Sequence, residues 1–106
     1  MIFHITDTAT WAASQQQGKH TGSTRNIDLA EEGYIHCSTA DQWRGVVDRF
    51  YADATDLLLL HVDEGRLTSP VVFEQLGGAP EAFPHVYGPI NLDAVVAVEP
   101  IAASGH

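Results

Sequence analysis

At 106 residues the chain is most simply one domain, able to bury roughly two-thirds of its unfolded surface in a single core. Hydrophobic residues make up 44% of it, an ordinary globular share. Five Lys+Arg against 14 Asp+Glu leave a net charge of −9, which argues against non-specific binding to nucleic acid or to an anionic membrane.

The only cysteine, Cys37, cannot close an intramolecular disulfide, so a reducing cytoplasm is the default location. Met1-Ile2-Phe3-His4-Ile5 has no basic n-region and no long apolar run, so neither a signal peptide nor a membrane span is expected. Residues 2–6 read as a first strand. Asp7 or Thr8 then caps a helix running to about Gln17, with Gly18 as its stop and Trp11 on its inner face. Residues 18–30 are polar and Gly-containing and read as an irregular loop carrying Lys19 and Arg25.

Gly33-Tyr34-Ile35-His36-Cys37-Ser38 looks like a short buried strand, yet it puts an imidazole and a hydroxyl on one face. A strand buried only for packing would use Val, Ile or Leu there, because unpartnered polar groups cost stability when buried. The plain reading is a satisfied His36 and a Ser38 that merely caps the next helix; the functional reading makes both ligand-binding. Cys37 points to the opposite face and reads as a small buried packer.

Ser38 or Thr39, with Asp41 or Gln42 three residues on, fits a capping box. Trp43, Val46, Val47, Phe50 and Tyr51 then fall on one buried helix face. Leu57-Leu58-Leu59-Leu60 suits a central strand, Glu64-Gly65 a turn, and Val71-Val72-Phe73-Glu74 another strand. Glu74, at the end of that strand, can serve as a general base or steady a developing positive charge; its plain reading is a solvated carboxylate.

Gly77 to Pro89 contains Pro80, Pro84 and Pro89 and reads as a structured loop. It carries His85 and Tyr87 at a spacing of two, suited to a ligand that is both stacked and hydrogen-bonded. The competing reading has Phe83 and Tyr87 plug the core. Residues 94–98 form the last strand, and 101–106 read as a flexible tail after a domain spanning 1–100. The fold class is α+β, with about five or six short strands and two main helices.

Six histidines invite a metal, but no H-x-x-x-H or H-E-x-x-H pair and no second cysteine support one, so none is expected. No glycine-rich phosphate loop is present either. His4-Ile5-Thr6 and His36-Cys37-Ser38 both fit H-x-[Ser/Thr], the arrangement of two-histidine phosphoesterases, in which one imidazole acts as base and the other as acid. A third reading is a non-enzymatic module that binds a metabolite or a protein. The oligomeric state is left open.

Trp11, Glu32-Gly33-Tyr34-Ile35-His36-Cys37-Ser38, Gln42, Phe50-Tyr51, Asp56-Leu57, Leu60, Glu74 and Phe83-Pro84-His85-Val86-Tyr87-Gly88-Pro89 together resemble a small bacterial family of unknown function, the DUF 952 family, over about residues 2 to 98. The resemblance implies a fold similar to that of ADP-ribosyltransferases, which cleave NAD at the nicotinamide–ribose bond. Carried onto this chain, His36 and Ser38 match the His-x-Thr/Ser element that binds NAD. Tyr87 or Tyr51 matches the stacking aromatic, and Glu74 or His85 the late catalytic group. The expected ligand is therefore a small-molecule nucleotide, NAD or an ADP-ribosyl relative, bound by a transferase- or NAD-glycohydrolase-like domain.

Overall fold

The computed structural model describes residues 1–76 and 78–102. Asp7 sets the first boundary. Strand β1 (Ile2–Asp7) ends where the Asp7 carboxylate accepts from the Thr10 amide at 2.7 Å, opening helix α1 (Thr8–Gln17). Gly18 closes the helix at φ +88°, a left-handed conformation that favours glycine. Trp11 packs, half-buried, against the main core as expected.

Residues 18–30 are not a loop. They form β2 (Lys19–His20), β3 (Gly22–Thr24) and β4 (Ile27–Asp28), followed by the start of helix α2 (Leu29–Glu32). Strands of two or three residues are too short to show a period against a Gly- and Ser-rich background. Asp28 caps α2 in a full capping box with Glu31, and Gly33 ends it at φ +93°. Arg25 is held on Asp53 by two hydrogen bonds of 2.6 and 3.1 Å.

Strand β5 (Ile35–His36) follows, then helix α3 (Trp43–Phe50). Ser38 does not cap that helix: its backbone bridges to Phe3, N to O at 2.7 Å and O to N at 2.8 Å. Gln42 opens α3 instead, and its side-chain oxygen accepts from the Thr39 amide at 3.0 Å. Val47 and Tyr51 are buried as expected, but Phe50, the last residue of the helix, is 60% exposed.

Strand β6 (Leu57–Val62) is central, in the order β1-β6-β10, with β10 spanning Val95–Pro100. Its alternate residues feed two cores. Leu60 and Val62 join Ile2, Ile35, Val86 and Ile90, while Leu57 and Leu59 join Ile5, Val47, Tyr51 and Ile101. A strand buried on both faces carries an unbroken apolar run. Ile101 is thus anchored in the core, with its amide on Leu57 O at 3.0 Å, and does not belong to a flexible tail. Residues 103–106 of the expected tail, and Gly77, lie outside the described residues.

Strands β7 (Val71–Glu74) and β8 (Phe83–Val86) pair with β5 in the order β5-β8-β7, and β9 (Ile90–Asn91) pairs with β2. The segment expected to be a loop therefore supplies a central strand. Pro84 masked it, since a residue with no N–H argues against a mid-sheet position. Here Pro84 contributes only its carbonyl, which accepts from the Cys37 amide at 3.0 Å. The result is an α+β domain of three α-helices and ten short strands among the described residues, more finely divided than the expected five or six strands and two helices.

Candidate functional site

The register of β5-β8-β7 builds the site. Ile35 pairs with Val86, which pairs with Val71, and these side chains form the core face. One residue along, His36 pairs with His85, which pairs with Val72, so both imidazoles stand on the opposite face. The period of two adds Tyr34 beside His36, Tyr87 beside His85, and Glu74 diagonally across from His85. Two segments separated by about fifty positions of sequence thus present one polar and aromatic grid.

Within the grid, His85 is buried and its Nδ1–H donates to Glu74 Oε1 at 2.8 Å. Its ring stacks on Tyr34, with centroids 4.3 Å apart and planes 23° apart. His36 approaches edge-on, its centroid 5.3 Å from His85 and 4.9 Å from Tyr34. His36 Nε2–H donates to Glu32 Oε2 at 2.6 Å. Each imidazole therefore has a carboxylate that fixes its tautomer, which leaves His85 Nε2 and His36 Nδ1 without a partner among the described residues.

Glu74 Oε1 also accepts from the Tyr87 hydroxyl. That bond, and then the one from His85, holds the Glu74 carboxyl below its usual range. The same bond pushes the Tyr87 phenol up to about 12. Burial, with Glu32 and Glu74 nearby, raises the Tyr34 phenol as well. Glu74 is thus a firm carboxylate, and both phenols stay protonated as donors.

This grid forms one wall of a cleft of about 690 Å³ that is lined by His36, Ser38, Tyr51, Glu74 and His85 together. Five of the six residues singled out in the sequence therefore meet. Tyr87 does not line the cleft and acts on it through Glu74. Tyr51 lines it from the opposite wall, but its ring sits in the second core and its hydroxyl is 3.1 Å from Thr24 Oγ1. The aromatic ring at the centre is Tyr34. Neither Tyr34 nor Glu32 was assigned a role from sequence, although Tyr34-x-His36-x-Ser38 is a visible alternation. The far wall is α3, where Gly45 leaves open space and the Gln42 amide ties the helix start to Glu81 and Ala82, both at 2.8 Å.

His4 does not join this cleft. It is 2% exposed, donates from Nδ1 to the His36 carbonyl oxygen at 2.7 Å and packs edge-on against His20 at 4.8 Å. The expected His4–His36 imidazole pair is thus replaced by His36–His85. Cys37 is the buried packer expected, and burial pushes its thiol up. Its thiol is expected to ignore a thiol-specific chromogenic reagent in the native protein and to react fully in urea; fast native labelling would contradict that placement. Among the described residues no group of three or more His, Cys, Asp or Glu is placed to hold a metal. No helix among them is long and apolar enough to cross a membrane.

Fold and site together define an α+β domain with a cleft, lined by imidazoles and carboxylates, on one face of a three-stranded sheet. The family model described as "Protein of unknown function (DUF952)" matches residues 5–98, and the chain belongs to that family. It is similar to the crystal structure of protein CC0527 from Caulobacter crescentus, at 31% identity and a TM-score of 0.79, over 93% of this chain and 83% of that one. The solution structure of CC0527 agrees, at 29% identity and a TM-score of 0.78, over 95% and 84%. No curated protein matches the chain.

Proposed function

We propose that the cleft binds NAD or a related ADP-ribosyl nucleotide by its N-glycosidic end and cleaves or transfers at that bond. The observation that carries the reading is the Glu74–His85 pair on a cleft wall shared with His36, Ser38 and Tyr34. In hydrolysis the bond from the ribose C1′ to the heterocycle nitrogen breaks, and its electron pair neutralises the departing ring. Glu74 offsets the positive charge developing on the ribose. His85 Nε2 takes the proton of the water whose oxygen joins C1′, and Nδ1–H on Glu74 steadies the imidazolium that results. His36 Nδ1 accepts from a ribose hydroxyl, and Tyr34 gives the heterocycle an aromatic surface. Transfer differs only in the nucleophile.

The test is calorimetry and thermal shift with NAD, ADP-ribose and nicotinamide, followed by assay of nicotinamide release. Binding with turnover supports the reading, and His85→Ala then abolishes turnover. Binding without turnover makes the domain a metabolite-binding module. No binding at millimolar ligand by the folded protein removes the proposal.

A further inference from the structure

We infer that the occupant of the cleft is a cation, carried as a positively charged heterocycle or an ammonium group, and that anionic groups of a larger ligand stay outside. The inference deepens the binding role given to this cleft above. Glu32, Asp41, Glu74 and Glu81 line the cleft, and among the described residues Arg49 is its one Lys or Arg. Lys19, Arg25, Arg44 and Arg66 all lie elsewhere, and Arg25 is already committed to Asp53. Low-dielectric walls concentrate the field of such an excess, and the net charge of −9 extends it to long range.

The aromatic lining suits the same class of ligand. Tyr34 and Phe83 border the space, and aromatic faces attract cations; Phe50 and Tyr51 border it too, but their rings already hold Arg49 and Arg25 at 5.9 and 5.7 Å. The acids alone would define only a solvated acidic surface. His85 supplies the independent mark of a binding site: it is 3% exposed, lines the cleft, and has Nε2 unpartnered among the described residues. That Nε2, which can only accept, opens on the cleft from an otherwise buried ring and so suits a donor from a ligand. Glu32, Glu74 and Glu81 each spend one oxygen inside the protein, on His36, on His85 and Tyr87, and on Gln42, which leaves the other oxygen of each available.

The test uses three probes of nearly one shape: 1-methylnicotinamide as cation, nicotinamide as neutral and nicotinate as anion. Each is titrated into isotope-labelled protein at about pH 8, where free imidazole is neutral, and followed by amide shifts of α3 and β8. The cation is expected to bind about fivefold or more tightly than the neutral probe, with the anion weakest. Raising salt from about 20 to about 300 mM should shrink that preference. Glu81→Gln should lower the ratio and Arg49→Gln should raise it, and misfolding cannot produce opposite signs. Equal affinities, nicotinate as the tightest probe, or no shift of the cleft amides with any probe would overturn the inference. NAD turnover with a flat charge series removes this inference and leaves the glycosidic reading standing. An ordered series without NAD binding does the reverse.

Discussion

Lowering the pH from about 7.5 to about 5 is expected to cost the folded chain roughly 4 kcal/mol, a large fraction of a small domain's stability. The source is the buried pair His4 and His20. Burial is the largest cause in both, lowering His4 from 6.5 to about 3 and His20 from 6.5 to about 4. Both rings are bound as neutral tautomers. His4 donates to the His36 carbonyl, and His20 Nδ1–H donates to Ser14 Oγ at 2.7 Å, because that hydroxyl gives its own proton to Thr10 O. The buried Nε2 of His20 has no partner among the described residues. Asp7 and Asp28 pull His20 upward, while His20 and His36 push His4 down.

The sign follows from proton counts. Between the folded values and 6.5 the unfolded chain binds more protons, so stability is complete above 6.5 and falls as pH drops. Each ring contributes about 2 kcal/mol by pH 5, and the urea midpoint should fall by on the order of 2 M. His20→Asn, which keeps a donor where Nδ1 stood, should remove about half of the pH slope. An identical midpoint at both pH values would show that the pair titrates normally.

Glu74→Gln is expected to have the largest effect on the site. It removes the charge that raises the Tyr87 phenol, which should return from about 12 toward 10 in an ultraviolet titration. Tyr34 should move down with it, since Glu74 contributes to its shift. The same variant should reduce any glycosidic turnover by about two to four orders of magnitude, through loss of the carboxylate that balances the ribose charge. A Tyr87 inflection that stays near 12 would rule out the hydrogen bond as the cause of the shift.

What the sequence made legible followed period and punctuation. Asp7 and Gly18 bracket α1, the leucine run names the central strand, and His36 and Ser38 stand out because polar groups do not belong at alternate positions of a buried strand. Two features stayed hidden for opposite reasons. Residues 18–30 form strands too short to carry a period, and Pro84 disguises β8 as a loop. The paired spacings suggest that His36 meets His85, whereas H-x-[Ser/Thr], which offers His4 as a rival partner, says nothing of which face a ring takes. Glu32 and Tyr34 became visible only when register put them beside the imidazoles.

The one-to-one pairing of His36 with His85 also determines where this chain can change length. An extra residue between β7 and β8, in the segment 75–82, only lengthens a connection and leaves every side chain on its own face. The same extra residue ahead of His85 within 83–86 would move that ring to the position of Val86, placing an imidazole in the apolar core. Relatives that differ in length should therefore carry their insertions in the connection and none in the strand. A domain with a one-residue insertion in β8 should lose fold and chemistry together.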